Sequence, residues 1–369
     1  MAPTPPVDHL RSAWDQFLDH LRAGADTVLG EHGATNDLEA AEGIRFLTRL
    51  TSAAFDMFIE YGDTTHPEFV RLMTPHRKFY GDNPDTFYDY ASIRGRRTYR
   101  ITGTRGTVSY LAFCVYGRTE TGQTRIVTNV SDRDLAIADD GSFTVVLSPE
   151  RPEHSDTAAW VRTESDVEAV IARQYFLDRA AETPATFSIH CVDDVPAPQP
   201  LRVEPLARRV RAAGEFVANG AAFSALAAEG LAARPNEVSF DSEAATVAAF
   251  YPTPDNKYVG GWYHLGPDDA LVVEGTPPDT RYWSLLLMTR WMESLDAPHH
   301  QIILNNHHVT LEPDGTFRII VAHRDPGTAN WLDTAGHRDG YVMFRWMQAS
   351  GITPPAFTLT ELPPTRVGP

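Results

Sequence analysis

Residues 309–322 read VTLEPDGTFRIIVA, and this stretch, with an earlier one like it, decides the fold class. Asp314-Gly315 separates two short runs of strand-forming residues, and this dipeptide is favoured in the tight turns of β-hairpins. Residues 135–148 read LAIADDGSFTVVLS and place Asp140-Gly141 at the corresponding point. Each stretch therefore predicts an antiparallel hairpin.

The likeness of the two stretches continues on both sides of the turn. Three blocks correspond at an offset of about 172 residues: Asp140–Ser148 with Asp314–Ala322, Trp160–Thr163 with Trp331–Thr334, and Gly103–Leu111 with Gly275–Trp283. An offset that is held across separated blocks indicates duplication of a whole domain and not a short structural repeat. We therefore expect two copies of one β-rich unit.

Helical segments precede the strands. Apolar residues at helical spacing predict helices at 7–29, 38–62 and 204–231. Asn36 and Glu39 form a capping pattern in front of the second of these helices. Ser165-Asp-Val-Glu168 has the same pattern and predicts a further helix after residue 165.

Helices set beside antiparallel strands place the chain in the α+β class. We predict two duplicated antiparallel β-sandwich or barrel-like domains, each preceded by helices. The predicted parts are an N-terminal helical segment (1–35), a first unit (36–165), a connection of helix, strand and Pro-rich turn (166–203), and a second unit (204–369). Clefts between such domains commonly hold binding sites.

Composition narrows the class of protein. At 369 residues the chain exceeds the usual size of one domain, and its net charge of -17 argues against nucleic acid as a partner. Residues 1–14 lack the basic and apolar regions of an export signal, and no run reaches the roughly 18 apolar residues of a spanning helix. We expect a cytoplasmic protein without membrane insertion, with homo-oligomer formation left open. Cys114 and Cys191 are interpreted as buried small side chains.

Four motifs link the chain to a family. They are, in chain order, Asn83–Tyr88 (NPDTFY), Arg173–Asp178 (RQYFLD), Tyr282–Leu285 (YWSL) and Asn330–Leu332 (NWL). In these motifs the chain resembles bacterial proteins that pair the domains of unknown function numbered twelve fifty-four (N-terminal) and twelve fourteen (C-terminal). The resemblance covers most of the chain and implies a β-rich two-domain fold. Members are often exported, whereas this chain lacks an export signal, and the family brings no settled reaction.

The two copies differ where the strand after the Asp-Gly turn ends. The second copy reads Ala322-His323-Arg324-Asp325-Pro326, where the first reads Ser148-Pro-Glu-Arg-Pro152. A histidine oriented by a carboxylate exchanges protons near neutral pH, because its ordinary pKa is about 6.5. We predict His323 as a proton shuttle oriented by Asp325 or Asp333. The alternative is that this segment only closes the strand end through local ion pairs.

Residues 76–86 form a loop with basic, acidic and aromatic side chains. We predict that Asp85 and Tyr88 reach from this copy toward the proposed proton shuttle, and that Arg77 and Asn83 contact the substrate. The alternative is turn structure, because Asp, Asn, Pro and Gly also bond their own backbone.

A group of four histidines raises the question of a metal site: His299, His300, His307 and His308. Neighbouring residues of a strand point to opposite faces, so only one of each pair could join a given site. No HExxH motif or facial triad accompanies them. We predict that these histidines form polar strand ends and a turn, and a bound transition metal is the alternative.

Aromatic residues near the polar segments favour an apolar small-molecule pocket. Further candidates for substrate contact are Trp283, Tyr263, Arg324 and Trp331. The chain lacks the GxGxxG, GxxxxGK[ST] and GxSxG motifs. It therefore has none of the short motifs that would indicate dinucleotide binding, a P-loop or an α/β-hydrolase.

Three hypotheses follow. The first is a cofactor-independent lyase, isomerase or hydrolase that acts on a hydrophobic small molecule by general acid–base chemistry in a cleft between the two domains. The second is a non-catalytic binding protein for a lipophilic ligand. The third is a diphosphate lyase or cyclase in which Asp82 and Asp85 hold Mg²⁺ and Arg77 and Lys78 hold the diphosphate.

Overall fold

The computed structural model describes residues 6–153, 158–241 and 251–362. Its helices are α1 (Pro6–Leu29), α2 (Asp37–Ala54), which continues into a π-helical turn (Phe55–Glu60), and α3 (Val203–Ala232). The end of the second predicted unit, after residue 362, lies outside the described residues. Within these ranges no helix is both long and apolar enough to cross a membrane.

Eighteen strands flank α3 among the described residues. Those before it are β1 (Val70–Arg71), β2 (Thr86–Ser92), β3 (Tyr99–Thr104), β4 (Tyr110–Arg118), β5 (Thr124–Ser131), β6 (Ser142–Ser148), β7 (Ala159–Arg162), β8 (Val167–Tyr175) and β9 (Thr186–Cys191). Those after it are β10 (Val238–Asp241), β11 (Asn256–His264), β12 (Asp269–Gly275), β13 (Tyr282–Met288), β14 (Ile303–Asn305), β15 (Phe317–Ala322), β16 (Trp331–Asp333), β17 (Asp339–Met347) and β18 (Ala356–Glu361).

The two sets of strands have the same topology. The first set forms sheets of order β1-β2-β8-β4-β5 and β7-β6-β3-β9, and the second forms sheets of order β10-β11-β17-β13-β14 and β16-β15-β12-β18. Strands β10 to β18 therefore occupy the same positions in the second unit as β1 to β9 occupy in the first. Neighbours are antiparallel except in the pairs β6–β7 and β15–β16. The predicted duplication and the α+β class are confirmed.

In each unit the five-stranded and the four-stranded sheet pack face to face around an apolar core. In the first unit, Phe113 of β4 and Val145 of β6 belong to one buried cluster. In the second unit, the rings of Trp283 and Phe317 lie 5.2 Å apart across the two sheets. Each unit is thus a β-sandwich, and closure into a barrel is not seen among the described residues.

The outer face of the first five-stranded sheet is covered by helices. Along β8, Val170 and Ala172 point into the sandwich core, while Ile171 belongs to the cluster formed with α2 and α3. α3 packs against α1, α2 and the π-helical turn. The cap predicted for α2 is confirmed in part: Asn36 accepts a hydrogen bond from the Glu39 N–H at 3.0 Å, but Glu39 accepts from the N–H of Thr35 instead of that of Asn36.

Two local predictions were wrong. Residues after Ser165 form strand β8 and not a helix. This strand lies between β2 and β4 and is buried on both faces, so it lacks the alternating pattern that marks a half-buried strand. The Asp-Gly turns are present, with φ of 81° at Gly141 and 85° at Gly315, but the residues before each turn form no strand. β6 and β15 pair with β3 and β12 instead.

Candidate ligand-binding site

A cavity of about 370 Å³ lies between the two five-stranded sheets and α3. Both units contribute to its wall, which is mostly apolar and aromatic. Leu226 and Gly230 near the end of α3 line the cavity and are exposed, so it opens to solvent beside this helix. A partly enclosed apolar space of this size is the usual form of a small-molecule site.

The polar part of the wall contains two arginines that occupy equivalent positions in the two units. Arg173 of β8 pairs in register with Tyr88 of β2, and Arg345 of β17 pairs in register with Tyr258 of β11. All four side chains line the cavity. The arginine side chains are buried, with 5% and 2% of their surface exposed. Each unit thus supplies one arginine and one tyrosine.

Each arginine reaches a backbone carbonyl of the opposite unit. Arg173 Nη2 donates to the carbonyl oxygen of Tyr251, and Arg345 Nη2 donates to that of Gly81 and, at 3.4 Å, to that of Asp82. The Nη1 group of both arginines is buried without a hydrogen-bond partner. Unsatisfied buried donors are rare in folded proteins, so these two atoms call for an explanation.

No carboxylate of the described residues pairs with Arg173 or Arg345, since neither belongs to an ion pair there. Burial lowers the pKa of Arg173, but nearby phenol and thiol groups outweigh it and raise the pKa above its usual value. The pKa of Arg345 is raised against the same effect of burial. Both groups are therefore cations, and buried charges of proteins normally have a partner of opposite charge.

Tyrosines surround the two guanidinium groups. The Cζ atom of Arg173 lies 5.8 Å from the ring centroid of Tyr88, and that of Arg345 lies 5.7 Å from the centroid of Tyr258. Burial raises the pKa of Tyr88 and of Tyr175, so both phenols stay protonated. Protonated phenols can donate hydrogen bonds to an anion.

Backbone strain concentrates at this cavity. Tyr80, Tyr251 and Met292 have φ of 50°, 52° and 56°, in the left-handed region that side chains other than glycine rarely adopt. All three line the cavity, and the segments that contain Tyr80 and Tyr251 present the carbonyl groups that accept from the arginines. Such strain persists only where surrounding structure imposes it, and it clusters at functional sites.

Asp85 holds the two units together beside this cavity. Asp85 Oδ2 accepts from the hydroxyl of Tyr282 and from the side-chain amide of Asn305, each at 2.9 Å. Asp255 of the second unit makes the equivalent contacts with the first unit. Its Oδ2 accepts from the hydroxyl of Tyr110 at 2.6 Å and from the side-chain amide of Asn129 at 3.1 Å. Burial raises the pKa of Asp85. The duplication therefore produces two matching carboxylate bridges between the units.

His323 is placed away from the other predicted catalytic residues. Its Nδ1 lies 2.7 Å from the hydroxyl of Thr334, and it lines none of the described cavities. Asp325 accepts from the N–H of Gly327, and Asp333 lies 2.7 Å from the ring nitrogen of His300. The structure does not bring His323 together with either orienting carboxylate or with Asp85 and Tyr88, because strand β15 ends at a four-stranded sheet and not at the shared face.

The predicted substrate-contact residues are likewise dispersed. Trp283 and Tyr263 are buried in the core of the second sandwich, and Trp331 donates to the carbonyl of Ala322. Arg324 pairs with Asp268, Arg77 pairs with Asp56, and Asn83 donates to the hydroxyl of Tyr282 at 2.9 Å. Of the residues proposed from the sequence, Tyr88 alone lines the cavity between the two five-stranded sheets in the described part of the chain.

The acidic and basic loop lies at a second cavity of about 360 Å³, to which Asp82, Asp85 and Lys78 contribute. Lys78 Nζ donates to the carbonyls of Ser294 and Leu295 at 2.8 Å and 2.7 Å. Asp82 accepts from the N–H and the hydroxyl of Ser294, both at 2.7 Å. The charged groups of Lys78 and Asp82 therefore form hydrogen bonds between the two units.

The four histidines do not converge. His299 bonds Asp296, His300 bonds Asp333, and the His308 ring lies 2.9 Å from Asn305 Oδ1. The rings of His307 and His308 contact each other at 5.2 Å between centroids. Over residues 6–153, 158–241 and 251–362, no group of three or more His, Cys, Asp or Glu is placed to hold a metal ion.

A buried carboxylate lies behind the cavity wall. Met292 lines the cavity, and its carbonyl accepts from the N–H of Gly81 at 2.8 Å. The next residue, Glu293, is fully buried and pairs with Arg49 at 2.8 Å, while its Oε2 has no partner. Burial raises the pKa of Glu293 to about 7. The folded protein therefore binds a proton at Glu293 at pH values where the unfolded chain does not.

This difference predicts a pH dependence of stability. Between the unfolded pKa and a folded pKa of about 7, the folded state holds more protons, so the free energy of unfolding falls as pH rises through this window. We expect Glu293 to contribute a decrease of about 2–3 kcal/mol between pH 5 and pH 8. In Glu293→Gln this part of the decrease is absent, which urea unfolding at both pH values will measure. Glu274→Gln, at an exposed pair with Arg318, is the matched control and keeps the wild-type dependence.

The site residues that sequence reasoning missed were visible in the repeat. Arg173 and Arg345 are separated by the same offset as the blocks that revealed the duplication. Tyr80–Tyr88 (YGDNPDTFY) and Tyr251–Tyr258 (YPTPDNKY) share a Pro-Asp pair with a tyrosine three residues after the aspartate. A search for polar residues common to both copies would have found them.

Fold and cavity together define a class of protein in which two β-sandwich units of equal topology enclose one shared cavity. A family profile described as "Protein of unknown function (DUF1214)" matches residues 85–176 and again 259–350. The chain belongs to this family and carries its domain twice. The predicted N-terminal domain numbered twelve fifty-four is not among the matches and stays a prediction.

The chain is also similar to solved structures. A crystal structure of an uncharacterized protein from Burkholderia cenocepacia is 35% identical, covers 96% of this chain and 99% of its own, and superposes with a TM-score of 0.91. The VPA0106 protein from Vibrio parahaemolyticus is 11% identical, covers 93% of this chain and 100% of its own, and gives a TM-score of 0.49. No curated protein matches the chain significantly.

Proposed function

We propose that this protein binds a small amphipathic anion in the cavity between its two units. The observation that carries the proposal is the pair of buried arginines, Arg173 and Arg345, which line an otherwise apolar space without a carboxylate partner among the described residues. A ligand with an acidic group would supply the opposite charge that these two cations lack.

The apolar wall supports a hydrocarbon body for this ligand. Phe216, Phe223 and Leu226 of α3 face the cavity together with Met57 and Met343. Methionine side chains adapt to irregular apolar shapes, and the aromatic rings supply much of the buried surface. The acidic group would lie at the arginines and the apolar part would extend toward the opening beside α3.

Binding is tested with decanoate and decanol, which share a chain and differ in charge. We expect decanoate to raise the melting temperature and decanol to have a much smaller effect, because a ligand specific for the folded state stabilises it by about 2.7 kcal/mol at roughly hundredfold excess over Kd. Arg345→Met should greatly reduce the decanoate effect. Arg318→Met, which removes an exposed arginine paired with Glu274, should leave it intact. Equal effects of decanoate on both variants would contradict the proposal.

Catalysis remains a separate proposal. An acid–base enzyme of the predicted kind depends on His323, which is half-buried and bonded to Thr334. The variant His323→Gln tests this hypothesis. If it no longer converts a ligand that the wild type converts, and its melting temperature is unchanged, a catalytic role is supported. The Mg²⁺-dependent lyase is tested by melting curves with Mg²⁺ and pyrophosphate.

A further inference from the structure

The cavity carries more positive charge than one acidic group would balance. Arg173 and Arg345 both line it, both are cations, and the described part of the chain places no carboxylate in an ion pair with either of them. The whole chain has a net charge of -17, so this local excess of positive charge runs against the overall balance. A monoanion would leave one buried guanidinium without a counter-charge.

The two guanidinium groups also share their surroundings. Tyr88 and Tyr175 are electrostatic neighbours of Arg173 and of Arg345 alike. The rings of Tyr175 and Tyr282 meet edge to face at 5.1 Å between centroids, so strands β8 and β13 contact each other across the junction of the units at this point. Two cations around the same phenols form one binding locus and not two separate ones.

One nitrogen of each guanidinium is held by the backbone of the opposite unit. The Nη2 group of each arginine bonds a carbonyl of the opposite unit, and the Nη1 group has no partner. The planar guanidinium binds oxyanions through two adjacent N–H groups, and this geometry suits phosphoryl and carboxylate oxygens. Two such groups at one cavity match a head group with several acceptor oxygens and a double charge.

We infer that the ligand of this cavity is an amphiphile with a dianionic head group, held jointly by Arg173 and Arg345. The inference rests on the proposed function and specifies the chemistry of its ligand. A phosphomonoester and a pair of neighbouring carboxylates share this chemistry. The head group lies at the junction of the two units, and Tyr88 donates a hydrogen bond to it.

The test compares ligands of similar chain length and different charge at pH 8 by calorimetric titration. Decyl phosphate and decylmalonate carry two charges, whereas methyl decyl phosphate and decanoate carry one. We expect each dianion to bind at least tenfold more tightly than its monoanionic counterpart. The advantage should disappear in Arg173→Met and in Arg345→Met, while the monoanion still binds each single variant weakly.

The outcomes separate the inference from the proposed function. If monoanions bind as tightly as dianions, the dianionic head group is refuted and the binding function stands. If no decyl compound binds, the proposed function fails as well. A gain for decyl phosphate alone identifies a phosphoryl head, and a gain for decylmalonate alone identifies a dicarboxylate. At pH 5.5 decyl phosphate loses most of its second charge, so its advantage should shrink.

Discussion

A variant with methionine in place of both Arg173 and Arg345 will lose decanoate binding by at least about a hundredfold and will unfold at the same or a higher temperature than the wild type. Truncating one member of a buried charge pair costs about 2–5 kcal/mol of binding, so the loss of both cations accounts for such a factor. Methionine has a similar unbranched shape and adapts to the vacated space.

The stability part of this prediction distinguishes a ligand site from a structural one. An unpaired buried charge destabilises the empty protein, so its removal offsets the three hydrogen bonds to backbone carbonyls that are lost. Arg281→Met provides the contrast, because Arg281 pairs with Asp132 at 2.7 Å outside the cavity. That variant should bind decanoate normally and lose stability. A double variant that melts far below the wild type would show that the two arginines are there to hold the fold.

Replacing Asp85 with alanine is expected to reduce the free energy of unfolding by about 3 kcal/mol, whereas asparagine is expected to change it by less than about 1 kcal/mol. Alanine leaves the buried hydroxyl of Tyr282 and the amide of Asn305 without their acceptor. Asparagine keeps an acceptor oxygen, and burial already disfavours the charge at this position, as the raised pKa of Asp85 indicates. Urea unfolding of the two variants measures both effects.

The same pair of variants separates the bridge from a chemical role for Asp85. A general base or a Mg²⁺ ligand needs the negative charge, so the asparagine variant would then fold normally but lose activity or metal response. A bridge needs only the acceptor oxygen. Asp255→Ala offers an internal control, because Asp255 makes the equivalent contacts with Tyr110 and Asn129. We expect a loss of similar size there.

The sequence predicted the fold well where the two copies agree. The paired Asp-Gly turns and the constant offset established the duplication, and the apolar periodicity located α1, α2 and α3. The prediction was wrong where burial on both faces erased the strand pattern, as in β8, whose Val167, Val170 and Ile171 also fit helical spacing. Periodicity alone cannot separate a fully buried strand from a helix.

The candidate site was harder to predict. His323 was proposed because it has no counterpart in the first copy, so the prediction rested on a difference between the copies. The cavity is built instead from what the copies share, namely an arginine and a tyrosine on neighbouring central strands. Their proximity depends on how the two sheets meet, and no local pattern encodes that arrangement. Tyr88 was found because it belongs to a conspicuous loop motif, while Tyr258 lies in a less charged counterpart.

The exchange of contacts across the junction bears on how such a chain arose. Arg173 depends on a carbonyl of the second unit, and Arg345 depends on one of the first, so neither sandwich completes its own half of the cavity. An ancestor with a single unit would have had to self-associate as a twofold-symmetric pair to make the same pocket. Joining the two genes freed the halves from identical sequence, and the connecting helix α3 could become part of the cavity wall.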